Sequence, residues 1–221
     1  MIRLARLYTL IVLALLTALT AIQLSGCGPS PKIFAERMNS ADASTRRGAA
    51  KDLRGKKRIK GRLVPVLLQA CRDPDVDVRV YGYYAVGRAD PYEEGVVSAI
   101  LDGMVDTSVE VRRAVASSLG MIDPFPSTCL PHLVKLLIDP DEKVRKLAFA
   151  AVADREKDAM GSLMRSIDSK DDKLRLAVIN VMAQIGGPAK SALPKLRQIA
   201  REDENKELRD AAERAVKFIE N

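Results

Sequence analysis

Six arginines recur along this 221-residue chain, at Arg46, Arg79, Arg112, Arg145, Arg175 and Arg209, with gaps of 33, 33, 33, 30 and 34 residues. A period of that length predicts a stack of small units, each burying its apolar face against the next, rather than one closed core. The register extends beyond the arginine. One residue before it stand Thr45, Val78, Val111, Val144, Leu174 and Leu208; three after it, Ala49, Gly82, Val115, Ala148, Val178 and Ala212; seven after it, Leu53, Val86, Leu119, Val152, Met182 and Val216. Positions −1, +3 and +7 share one face of a helix. Small side chains dominate at +3, which predicts a close helix–helix approach. Six before the arginine stand Ser40, Asp73, Asp106, Asp139, Ser169 and Asp203. These residue types predict helix N-caps, with Pro74 and Pro140 at the following N1 positions.

A second helix is expected upstream of each of these. Leu63-Val64-Pro65-Val66-Leu67-Leu68, Leu130-Pro131-His132-Leu133 and Leu193-Pro194-Lys195-Leu196 all sit about 16 residues before a repeat arginine. Val96-Val97 and Met160 to Leu163 occupy the same place in their units. Asp90-Pro91 and Asp123-Pro124 are expected to open two of these helices. Each unit thus reads as helix A, turn, helix B, and the fold class as an all-α solenoid of about six helix pairs.

Asp73-Pro74-Asp75-Val76-Asp77-Val78-Arg79, Asp139-Pro140-Asp141-Glu142-Lys143-Val144-Arg145 and Ile185-Gly186-Gly187-Pro188-Ala189-Lys190-Ser191-Ala192-Leu193-Pro194-Lys195-Leu196 resemble the HEAT repeat family. The similarity covers roughly residues 31–221. The last segment looks like the turn and A helix of the HEAT-like repeats also found in phycobilin lyases, although no residue here carries bilin chemistry over. The resemblance implies that B helices line a concave face. It also implies that the Asp and Arg positions form a ladder between neighbouring units, which makes the six arginines structural. The first unit departs from the pattern: Thr45 replaces Val or Leu, and no acidic cap is expected there. The 30-residue step before Arg175 predicts a shortened turn near Asp154.

Arg3 and Arg6 precede a mostly apolar stretch from Leu7 to Leu24, the pattern of an exported bacterial signal segment. Leu24-Ser25-Gly26-Cys27 resembles the lipobox of bacterial lipoproteins, which implies lipidation of Cys27 and cleavage before it. The expected division is a signal peptide helix over 1–26, a short tether over 27–31 and the solenoid over 32–221. The other reading is an uncleaved transmembrane anchor, since the 18 residues from Leu7 to Leu24 could just span a bilayer. Thr17, Thr20 and Gln23 weaken that span. Both readings place the domain outside the cytoplasm, in the cell envelope. Gly28, where Asp would signal retention at the inner membrane, leans toward the outer membrane.

The net charge of +7 is unevenly placed. Without Arg3 and Arg6 it is +5, residues 46–62 alone carry +8, and the remainder is therefore −3. Arg54, Lys56, Lys57, Arg58, Lys60 and Arg62 are the candidate membrane-surface patch, close to the lipid anchor, where each charge contributes about 1 kcal/mol toward anionic headgroups. The alternative is a solvated loop between units. Nucleic acid is excluded as a partner, because the chain is exported and the patch lacks interleaved aromatics for stacking.

Catalytic chemistry is sparse. His132 is the only histidine and reads as a surface residue. There is no Cys-x-x-Cys pair and no phosphate-binding glycine loop. Asp73 to Asp77 fails as a calcium loop because Val78 and Tyr84 stand where Gly and Glu are needed. No catalytic residue, metal ligand or cofactor is assigned, and the chain is not expected to be an enzyme. Cys71 and Cys129 fall two units apart, too far for a disulfide, and are expected as buried free thiols.

A binding surface remains. Offsets +1, +4 and +5 on the B helices point away from the buried stripe. The candidate groove residues are Tyr83, Tyr84, Arg47, Lys51, Arg113 and Lys146, with Phe149 and Asn180 at like offsets. Tyr and Arg are enriched at interface hot spots; Tyr81 is expected to be partly buried. The expected function is a membrane-anchored scaffold for protein–protein interaction, its partner an acidic or extended segment. The alternatives are a small-ligand-binding or lyase-type enzyme, or its regulatory subunit, and an envelope spacer.

Overall fold

The structure, a computed structural model, describes residues 29–221; the signal segment and Cys27 lie outside the described residues. Twelve α-helices follow one another: α1 (Pro31–Met38), α2 (Ala43–Arg54), α3 (Val64–Cys71), α4 (Val76–Val86), α5 (Val96–Met104), α6 (Val109–Leu119), α7 (Leu130–Lys135), α8 (Glu142–Ala153), α9 (Glu156–Ser166), α10 (Asp172–Ile185), α11 (Leu193–Glu202) and α12 (Lys206–Glu220). Odd-numbered helices are the A helices and even-numbered ones the B helices of six units. Short 3₁₀ turns lead into α3, α7 and α11, at Gly61–Leu63, Ser127–Cys129 and Gly187–Ala192.

The expected apolar stripe is the core. All six +3 residues are buried, as are five of the six at +7. The close approach expected at +3 is clearest at Gly82, where an added Cβ would stand 3.0 Å from the backbone of Ala70 and Cys71 in α3. Cys71 and Cys129 are buried and unpaired. Burial pushes the Cys129 thiol up to about 11 and the Cys71 thiol further still.

The caps differ from expectation. The N-caps of the B helices stand four residues before the arginine, not six. They are Asp42, Asp75, Ser108, Asp141, Asp171 and Asn205, each accepting from backbone N–H groups of the first turn. Such a cap contributes about 1 kcal/mol. The −6 residue instead accepts the N–H of the cap, as Asp73 does from Asp75 and Asp139 from Asp141, both at 2.9 Å. Pro74 and Pro140 consequently precede the cap. Unit one does have an acidic cap: Asp42 accepts from the N–H and hydroxyl of both Ser44 and Thr45. Those bonds hold its carboxyl far below the ordinary range.

Pro91 and Pro124 do not open helices, since α5 begins only at Val96 and the turn into α7 at Ser127. Asp90 instead ends a short parallel bridge, its N–H donating to Ile59 O at 3.1 Å. The shortened turn is where the 30-residue step placed it. Only Asp154 and Arg155 separate α8 from α9.

Candidate interaction face

The ladder implied by the resemblance is present, and its geometry repeats closely. Arg112 donates from Nε and Nη2 to both carboxylate oxygens of Asp139 in the next unit, at 2.8 and 3.1 Å. Its remaining nitrogen donates backward to the carbonyls of Asp106 and Thr107, at 2.9 and 3.3 Å. Arg46 and Arg79 do the same with Asp73 and Asp106. Arg175 pairs with Asp203. A planar guanidinium makes this double engagement possible; an ammonium does not offer it. A second rung runs beside the first. Arg47 grips Asp75 at 2.9 and 2.7 Å, and Arg113 grips Asp141, its Nε at 2.9 Å. Those arginines hold Asp75 at about 2 and Asp141 lower.

The joint between units four and five has neither rung. Arg145 keeps its two bonds to the carbonyls of Asp139 and Pro140, at 2.7 and 2.9 Å. Among the described residues no carboxylate meets its other nitrogens, because Ser169 stands at the acceptor position. Lys146 occupies the second donor position and pairs within its own helix, with Glu142 at 2.6 Å. Here α8 and α10 pack more sparsely than any other successive B helices. Two adjoining hollows of about 310 and 490 Å³ open between them, sharing Leu137, Arg145, Ala177 and Asn180. Phe149 and Lys146 complete one; Lys173 and Leu176 help line the other.

The groove residues expected from the sequence do not form one site. Tyr83 is a correction: it is 2 % exposed. Its ring lies over Gly103 of α5, where any added Cβ would overlap it. Offset +4 here faces the incoming A helix of the next unit, and desolvation pushes the Tyr83 phenol up. Tyr81 is half-buried, as expected, and so is Tyr84. Arg54 stacks on the Tyr84 ring at 4.7 Å, and Lys51 is exposed on the same helix as Arg54. Arg47 and Arg113 are also corrections as free groove cations, because their forks are committed to Asp75 and Asp141. Lys146 lies at the open joint, far along the stack from Tyr84. The cleft there was missed, although Ser169 at an acceptor position and the 30-residue step both mark it in the sequence.

The basic segment is not a loose loop. Ile59 is fully buried at its centre, donating to Arg88 O at 2.7 Å. Gly61 N–H donates to Glu93 at 2.7 Å, and Arg58 pairs with Asp90 at 3.2 Å. Lys56 sits 5.0 Å from the Phe34 ring. Lys57, Lys60 and Arg62 are exposed and make no ion pair among the described residues. His132 is exposed on α7, and among the described residues no three His, Cys, Asp or Glu are placed to hold a metal. No described helix is long and apolar enough to cross a membrane.

The sequence matches the family described as HEAT repeats over residues 64–153 and 130–217. No curated protein matches it. Among solved structures it is similar to the S. pombe condensin Cnd3-Cnd2 subcomplex, 20% identical with a TM-score of 0.56, over 86% of this chain and 26% of that one. A designed armadillo repeat protein in complex with the peptide (KR)4 is 18% identical, TM-score 0.50, over 86% of this chain and 98% of its own. The complex of CpcE and CpcF of phycocyanin lyase from Nostoc sp. PCC7120 is 19% identical, TM-score 0.50, over 85% and 76%. At these identities the likeness is one of fold.

Proposed function

The chain belongs to the HEAT repeat family, and on that premise we propose that it is a non-enzymatic scaffold for protein–protein interaction, exported and held at a membrane by lipid on Cys27. The observation that carries the interaction reading is the ladder. At four of the five joints it fixes successive B helices, in a face whose outward residues, Lys51 and Tyr84 near one end and Lys146, Phe149 and Asn180 further along, stay available. A HEAT-like solenoid is suited to such a role. The designed armadillo repeat protein holds a peptide and CpcE holds CpcF, which supports a protein partner without naming one. The non-enzymatic reading rests on dispersal: His132 is exposed on α7, while the two described thiols are buried and hard to ionise.

The anchoring reading rests on Leu24-Ser25-Gly26-Cys27 and the apolar segment before it. Lys57, Lys60 and Arg62, carried on a pinned segment, are the cations of the patch best able to meet anionic headgroups. The same segment supports envelope location, and Gly28 leans that reading toward the outer membrane.

In-cell crosslinking followed by affinity capture, comparing wild type with a Lys51→Ala/Tyr84→Ala variant, tests the interaction reading. A discrete protein lost in the variant supports it and places the face. A copurifying small molecule with no protein moves the ligand-binding or lyase class ahead, and neither one leaves the spacer. Labelled fatty acid should enter wild type and not Cys27→Ala; equal labelling removes the anchor assignment.

A further inference from the structure

We propose that the cleft between α8 and α10 is a carboxylate-docking site, in which an acidic side chain of a partner protein segment, with an apolar residue beside it, takes the place of the aspartate this joint lacks. The proposal rests on the reading of the B-helix face as an interaction surface and locates its acidic contact.

The donor half of the rung is intact. Arg145 is held by the carbonyls of Asp139 and Pro140, as Arg112 is held by those of Asp106 and Thr107. The guanidinium is therefore oriented as in the occupied rungs, with Nε and its second amino group lacking an acceptor among the described residues. The acceptor half is gone. Ser169 uses its hydroxyl to accept the N–H of Asp171 at 3.1 Å, the task Asp139 performs for Asp141 at 2.9 Å. It has no second oxygen to send across.

The carboxylates nearby are committed elsewhere. Asp139 is taken by Arg112, and Glu142 by Lys146. Asp171 caps α10, while Asp172 bonds Arg175 and Asn205. The cleft is thus lined by Arg145, Lys146 and Lys173 with no free carboxylate of its own, over a floor of Leu137, Phe149 and Ala177. A bidentate Arg–carboxylate pair is the contact this geometry is set to make. The adjoining hollows, about 310 and 490 Å³, have room for the acidic side chain and an apolar neighbour.

The probe is a fluorescent, end-capped octapeptide of alternating Leu and Glu, against the same peptide with Gln for Glu, titrated by anisotropy into the full-length chain in detergent. Wild type should bind the Glu peptide at least about tenfold more tightly than the Gln peptide, and less so at high salt. Arg145→Gln should erase that preference. Ser169→Asp should erase it too, by supplying the missing carboxylate from within, and should raise Tm rather than lower it. Unchanged circular dichroism shows that both variants fold. Equal affinity for the two peptides, binding of neither, or a preference that survives Arg145→Gln overturns the docking site. Each of those outcomes leaves the broader scaffold reading to the crosslinking capture, which samples partners along the whole face.

Discussion

The joint between units three and four and the joint between units four and five begin alike and end differently. Arg112 and Arg145 occupy the same place in their helices and hold the same pair of carbonyls behind them. Ahead of Arg112 stands buried Asp139, and ahead of Arg145 stands Ser169. The first joint carries two bidentate rungs and is closely packed; the second carries none and holds a cleft. In a solenoid each unit meets only its neighbours, so the difference stays local. In the first rung the donor is constant and the acceptor sets the coupling; in the second the acceptor position keeps its aspartate and the donor changes, from Arg113 to Lys146.

The sharpest way to break the comparison is to remove both arginines in turn. Arg112→Ala leaves Asp139 buried without its partner and should cost about 3 kcal/mol. Arg145→Ala loses only carbonyl bonds and should cost about 1 kcal/mol. Equal losses in denaturant unfolding would mean that the rungs do not differ in strength. Glycines probe the packing on either side. Gly103→Ala forces a methyl into the Tyr83 ring and the Val115 side chain and should destabilise by about 2 kcal/mol. Gly161→Ala, at an exposed position of α9 with its nearest neighbour at 3.8 Å, should stabilise by up to about 1 kcal/mol through helix propensity.

Closing the open joint with Ser169→Asp should add on the order of 1 kcal/mol and slow hydrogen exchange in α8 and α10. Unaltered exchange would show that the residue cannot reach Arg145. The smallest effect is that of acid. Asp75 and Asp141 titrate below their ordinary values because arginines hold them ionised in the folded chain. Their stabilisation is present in full above about pH 4 and is lost as the pH falls toward their folded values. Between pH 6 and 3, exchange corrected for its intrinsic rate should therefore quicken at the joints of units one–two and three–four more than at four–five. A uniform change along the chain would count against the second rung.

Much of the fold was legible in the sequence because helix period and arginine spacing are direct consequences of stacking. The −1, +3 and +7 stripe is the core, and the shortened turn at Asp154 is there. The caps were misplaced by two residues because Asp at −6 and Asp at −4 are equally good acceptors. Both reach an arginine of the preceding unit, as Asp73 and Asp75 reach Arg46 and Arg47, so only the turn between them decides which one caps the helix. Tyr83 was misassigned for a related reason. Helical offsets say which side of a helix a residue faces, but the next unit's A helix covers part of that side, and Gly103 gives the ring its place. The cleft was written in Ser169 and the 30-residue step, two facts that acquire a joint meaning only once Arg145 is seen holding the carbonyls of its own unit alone.

The division of labour within each rung bears on how such a chain can change. The arginine serves two carbonyls of its own unit and the carboxylate of the next, so replacing it disturbs both. The aspartate serves its own turn with one oxygen, a task that a hydroxyl performs equally well, as Ser40 and Ser169 show by accepting the N–H of Asp42 and Asp171. An Asp-to-Ser exchange therefore uncouples two neighbours while leaving each correctly folded. Heritable variation has a low-cost way to place a gap at any joint, and the arginine left waiting there is a ready-made starting point for a new contact.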